Sequence, residues 1–245
     1  MNIANYRWGY LWPVICLLVC PTALSGQTRT NTWFRFTGRY RFSERLTTDL
    51  ELQHRRQPDG RGGYPLRHAA LYSIRPWAYY RISEGVRIDA APLAYYILYP
   101  TLQYPASKPA TPTYEYRSTV GISLRHRIMH RLWIADRTLW EYRNFSHGND
   151  ILRGRARLGL QYNLGGGAKV VAQEELLFNL HGAPASHVFD HSRFSLSVQV
   201  PIGSRLHAET GYMHVNRLPL QQTELQKEHN MFLHITIDFT SIDKI

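Results

Sequence analysis

Lysine, cysteine and long apolar runs are all scarce in this sequence, and each scarcity excludes something. Of 29 basic residues only Lys108, Lys169, Lys227 and Lys244 are lysines; the rest are arginines. Arginine suits fixed, bidentate pairing with carboxylates better than a loosely solvated positive surface does. The two cysteines, Cys16 and Cys20, both lie in the first 26 residues. Without that stretch the chain can form neither a disulfide nor a thiolate metal site. Beyond residue 26 there is no run of roughly 18 uncharged apolar residues, which excludes a helical membrane protein. A phosphate-binding loop is missing too. Gly165-Gly166-Gly167 lacks the lysine and following helix of a P-loop and reads as a hairpin turn.

What is present excludes disorder. Apolar residues make up 44% of the 245 and aromatics 13%, with 16 tyrosines and 6 tryptophans. Such a chain can bury enough surface to fold. Its net charge is +11. The length suits one domain.

Residues 1–25 read as a secretory signal peptide that is removed. Arg7 and the terminal amine precede an apolar stretch from Tyr10 to Val19, and Ala23-Leu24-Ser25 supplies small residues for cleavage. Pro13, Pro21 and the shortness of the run argue against an anchor helix. Val19 stands where a lipoprotein signal at Cys20 would want a small residue. Residues 26–245 are then a single, cysteine-free, exported domain.

From Thr32 onward the pattern has period two, the signature of strands with unlike faces. Phe34, Phe36, Tyr40 and Phe42 alternate with Trp33, Arg35, Thr37, Arg39 and Arg41. Leu152, Ala156, Leu158, Leu160, Tyr162 and Leu164 oppose Arg153, Arg155, Arg157, Gln161 and Asn163. Runs of this kind also cover 46–55, 67–82, 86–99, 114–128, 132–143, 168–180, 192–202, 205–217 and 231–239. Short turns and longer polar loops connect them in alternation, and no helical period competes.

Alternation alone fits two architectures. A soluble sandwich or barrel would turn the apolar face inward; a membrane barrel would turn it toward lipid. Four features favour the membrane. The runs reach about 10–15 residues, where soluble strands average roughly 5–6. Short turns on one rim face long loops on the other. Aromatics such as Tyr95, Tyr96, Tyr114, Tyr116, Trp140 and Tyr142 sit near strand ends. The last run ends in Phe239. The expectation is an all-β, antiparallel, transmembrane-type up-and-down barrel of 10–12 strands. Eleven runs are visible, and even parity favours twelve, with ten as the alternative. Two carboxylates, Asp136 and Glu174, fall on the lipid-facing phase unless a bulge shifts them.

Several segments carry a resemblance. They are Thr32-Trp33 with Arg41-Phe42-Ser43-Glu44-Arg45-Leu46, Glu175 to Asn179, Phe189 to Arg193, Glu209 to Met213, and His229-Asn230. Together they resemble an uncharacterised, domain-of-unknown-function family of exported bacterial proteins predicted to be outer-membrane β-barrels. The resemblance implies a Gram-negative outer-membrane location and this fold. It implies no activity.

On the membrane reading the polar phase lines a lumen. Its residues include Arg35, Arg39, Arg117, Arg125, Arg137, Arg153, Arg155, Arg157 and Arg193, with Glu51, Glu141, Glu175 and Glu209. In a narrow barrel such residues pair into ladders that replace an apolar core. Unpaired arginines would instead favour a small-solute, anion-preferring passage. An enzyme is the alternative: a lipid-modifying or proteolytic rim site built from Ser186, His187, Asp190, His191 and Ser192. A secreted soluble binding barrel is the other. On balance no catalytic or cofactor-binding residue is assigned. His181, His187 and His191 share one loop but lack convincing metal spacing. The basic charge is spread through strands rather than gathered on one arm, which argues against nucleic acid. The partners expected are outer-membrane lipid, the barrel-assembly and periplasmic chaperone machinery, and a small anionic solute.

Overall fold

The computed structural model describes residues 28–59, 64–102, 111–220 and 223–239. The leader and both cysteines lie outside the described residues. Eleven strands carry almost all of the rest: β1 (Thr28–Arg41), β2 (Leu46–Gln57), β3 (His68–Arg81), β4 (Val86–Leu98), β5 (Thr113–Arg127), β6 (Leu132–Phe145), β7 (Ile151–Gly165), β8 (Ala168–His181), β9 (Phe189–Ile202), β10 (Leu206–Arg217) and β11 (Gln226–Asp238). A single 3₁₀ turn, Ala185–His187, precedes β9. At 12 to 15 residues these strands are long enough for a tilted crossing of a bilayer's apolar layer.

Each strand pairs antiparallel with the next, and the sheet closes on itself. The closure corrects the expected count. Twelve or ten strands followed from assuming that the first and last strands meet antiparallel. Here β1 and β11 meet in parallel, from Thr28 beside Lys227 to Arg39 beside Asp238. Both run from the long-loop rim to the short-turn rim, so an odd number closes without a crossing. Residues Thr28–Asn31, which even parity would place across the barrel or in an extra strand, simply begin β1. At the other end of the seam the Phe239 amide donates to the Arg39 carbonyl at 2.9 Å. The Phe239 ring fills the space over Gly38, where any Cβ would stand 2.9 Å from it.

Local chemistry explains the joints. The β7–β8 turn uses Gly165, Gly166 and Gly167 at φ of +107°, +58° and +81°, a left-handed path open to glycine at no steric cost. Pro76 and Pro92 interrupt β3 and β4, and the register shifts beside each, between Ile74 and Ala78 and between Ala91 and Ala94. Proline cannot donate to the ladder, so it belongs at such irregularities.

The two faces are sorted inside-out. Phe36, Leu50, Leu52, Val120, Leu196 and Met231 point outward and are 40–54% exposed. Asp89, Glu115 and Glu141 point inward and are fully buried. Inside, small apolar clusters fill gaps between ionic groups. Trp33 packs with Met213, Val215 and Phe232; Trp77 packs with Ala91 and Leu139. Asp136 and Glu174 stay on the outer phase. Leu158 pairs with both in unbroken register, so no bulge turns either inward. Asp136 accepts a long hydrogen bond from the Thr138 hydroxyl at 3.4 Å.

Candidate functional site

The inner wall brings the arginines and carboxylates into one lattice. Glu141 on β6 accepts from Arg153 Nε at 2.9 Å and from Arg155 Nη1 at 2.5 Å, with Arg117 at 3.7 Å. Arg155 also donates to Glu175 at 2.7 Å, and Arg193 reaches the other oxygen of Glu175 at 3.1 Å. Glu115 accepts from Arg117 Nε at 2.9 Å and from Arg143 Nε at 2.7 Å. Arg153 continues the chain to Asp190 at 2.7 Å. Farther round the wall, Arg39 grips Asp49 with two bonds of 2.9 Å. Arg137 Nε lies 2.7 Å from Asp89. Glu51 takes Arg75 in a hydrogen bond, with Arg35 at 3.6 Å. Glu209 accepts the Ser197 hydroxyl at 2.8 Å, with Arg35 at 3.9 Å.

Aromatic rings stack beneath several of these guanidinium groups. Arg55 lies 3.5 Å over Trp33, Arg117 3.9 Å over Tyr96, and Arg137 4.6 Å over Trp77. Such stacking attracts a cation while covering it from water. These stacks escaped the reading of the sequence, although the phase of Trp33 and Trp77 placed them on the arginine face. Lys169 was missed as well. It shares the inward phase with Val171, Gln173 and Glu175 and lines the lumen.

The lumen is not uniform along its length. Toward the long loops its side chains are dry and close-packed: Tyr96, Ile151, Leu177, His191, Val215 and Asn230 are at most 2% exposed. Toward the short turns it opens into a cavity of about 680 Å³. Arg39, Arg87, Arg125, Arg137, Arg157 and Lys169 are among its walls, and basic residues outnumber acidic ones roughly two to one.

In the rim loop suggested as a catalytic alternative, Ser192 and His191 do not come together. In register, Ser192 stands between Leu176 and Asn216 on the outer face of β9, and His191 stands between Leu177 and Arg217 on the inner face. Neighbours on opposite faces of a strand cannot exchange a proton. His191 Nδ1 instead lies 3.1 Å from Asp190. Ser186 Oγ is 2.9 Å from His187 Nδ1 within the 3₁₀ turn. No three His, Cys, Asp or Glu side chains converge as a metal site among the described residues.

Residues 30–221 match the model of a family described as a protein of unknown function, DUF2490. The chain belongs to this family. Three solved structures resemble this DUF2490 barrel loosely. LpxR from Salmonella typhimurium is 9% identical over 80% of this chain and 83% of its own, with a TM-score of 0.48. Outer-membrane expressed OmpT of Vibrio cholerae is 8% identical over 70% and 54%, at 0.39. An anion-selective porin from Comamonas acidovorans is 13% identical over 78% and 55%, at 0.34. No match was found among curated proteins.

Proposed function

We propose that this chain is an outer-membrane barrel whose lumen is a scaffold of ion pairs, blind toward the long loops and open toward the short turns. The observation that carries the reading is the inside-out sorting of side chains. Leucine, valine and phenylalanine cover the outside, and fully buried carboxylates fill the inside. In water that arrangement would waste apolar surface and bury charge for nothing; in a bilayer it satisfies both faces. Residues 1–25 serve as the export signal. Outer-membrane lipid covers the apolar belt, and barrel-assembly machinery and periplasmic chaperones deliver the chain. In this orientation the short turns face the periplasm, as in other barrels of this kind.

Fractionation with heat modifiability tests the proposal. Expected is recovery in outer membranes and faster migration in SDS before boiling than after it. Recovery as a soluble periplasmic protein would sink it. Planar-bilayer recording tests the blind lumen, for which no steady conductance is expected. Regular steps in the wild-type protein would show an open pore instead.

A further inference from the structure

Most carboxylates facing the open half of the lumen are engaged by cations of the wall; Glu84 and Asp136 also border the cavity and, among the described residues, have no cation within ion-pair distance. Asp49 is taken by Arg39, Asp89 by Arg87 and Arg137, Glu51 by Arg75 and Arg35, and Glu175 by Arg155 and Arg193. Cations are left over. Among the described residues, no carboxylate lies within ion-pair distance of Arg125, Arg157 or Lys169, yet all three line the same cavity. Arg157 sits among Arg137, Arg155 and Arg35, with Glu175 opposing them. Lys169 sits near Arg125 and Arg39, with Glu209 opposing. The wall between them is hollowed by small residues: Ala135 pairs with Gly159 across β6 and β7, flanked in register by Arg125 and Gln173.

We infer that this hollow binds a small multivalent oxyanion, one carrying several phosphate or carboxylate oxygens. Like charges held in a partly enclosed, low-dielectric space repel one another, and a counter-anion offsets that repulsion. Guanidinium groups present paired donors that match the planar edges of phosphate and carboxylate. Three separate cations favour a multivalent partner over chloride, because one ion cannot span them. The cavity of about 680 Å³ lies within the usual range for small-molecule sites. The proposal rests on the membrane reading only for the side of entry, which would be the short-turn rim.

Isothermal titration calorimetry on the purified, heat-modifiable protein in detergent tests it, at low ionic strength so that salt does not screen the site. Sodium pyrophosphate and sodium citrate are the two probes, and sodium chloride is the control. Expected is saturable one-to-one binding of one or both probes. Arg157→Gln and Lys169→Gln should each weaken it about tenfold, the loss of one charge-assisted contact. Ala135→Leu, which fills the hollow without changing charge, should weaken it as well. Should Arg157→Gln lose heat modifiability, Lys169→Gln and Ala135→Leu decide. No saturable heat from the wild-type protein would overturn the inference. So would variants that bind as the wild type does. A conducting wild-type protein would overturn the blind lumen and leave this binding result standing, so the two failures are distinguishable.

Discussion

Glu141 faces three arginines, more than any other inward carboxylate among the described residues, and it does so with no exposure to water. A buried ion pair gains little over an apolar pair, but one stripped of a partner is costly, because the remaining charge stays desolvated. Glu141→Gln leaves Arg153 with Asp190 and Arg155 with Glu175, but no longer neutralises the centre of the lattice. Stability should fall by about 3 kcal/mol or more. Urea unfolding in micelles, followed by loss of the fast-migrating form, measures it. A change below about 1 kcal/mol, the scale of an exposed pair, would show that water reaches Glu141. Asp150 makes a different case at the same scale. It lies in the β6–β7 loop, where the Tyr142 hydroxyl donates to it at 2.5 Å and the Asn144 amide at 2.9 Å. The Tyr142 bond first, then the Asn144 bond, holds its carboxyl below the usual carboxylate range. A lowered folded pKa means the contribution is complete above the ordinary range. It is lost as pH falls through the lowered value. Backbone order at Gly148 and Asn149, read by NMR relaxation, should therefore persist at neutral pH and drop only in strong acid, and Asp150→Asn should show the loosened loop at neutral pH. An ordered loop in that variant would assign the order to other contacts.

Individual strands were legible in the sequence, because period-two alternation over a dozen residues leaves few other readings. The run 168–180 became β8 (Ala168–His181), and the run 86–99 became β4 (Val86–Leu98). The two faces of each run were legible as well, although Tyr96, read with the aromatics near the strand ends, turns inward beneath Arg117. The partners of the side chains were not legible. Arg155 stands in register with Leu139 and Leu177, yet its guanidinium reaches Glu141 and Glu175, each two residues from the register partner and in opposite directions along the strands. Such diagonal reach depends on strand stagger and on the length of the arginine, and neither shows in a linear pattern. The strand count failed for a related reason: a sequence shows where strands run, not which strands meet at the seam. Parallel closure makes its own prediction. Thr32 and Met231 are register partners on the outer face, and neighbouring strands bring such residues within disulfide range. In a background lacking Cys16 and Cys20, Thr32→Cys with Met231→Cys should cross-link under mild oxidation, while Thr32→Cys with Ile237→Cys should not. The bond would be seen as a mobility shift reversed by reductant. A reduced first pair in a folded barrel would mean that another strand lies between β1 and β11.

At the scale of the whole molecule, two halves of one lumen behave differently because their wall residues differ in size and pairing. The loop half is closed by apolar side chains and close-packed polar groups, and the turn half is widened by Ala135 and Gly159 and charged by cations that have no carboxylate within ion-pair distance. If the lumen is blind as proposed, removing the closure while keeping the charge should convert it into a channel that prefers anions. Tyr96→Ala, Ile151→Ala and Leu177→Ala trim three side chains that are at most 2% exposed and lie toward the long loops, Tyr96 at the inner end of the cavity. None of them carries an ion pair, so the lattice around Glu141 keeps its members. Large-to-small changes of this type cost about 2–5 kcal/mol each, which sets a limit on how many can be combined. Planar-bilayer recording of the triple variant should show discrete steps where none are expected of the wild-type protein. Because positive walls raise the local concentration of anions, the reversal potential in a chloride gradient should be anion-selective. Adding Arg125→Gln should then reduce that selectivity without closing the steps, since Arg125 lines the wide half. A heat-modifiable triple variant that stays silent would place the barrier elsewhere in the lumen. One that conducts cations in preference would show that the carboxylates, rather than the surplus arginines, set the field.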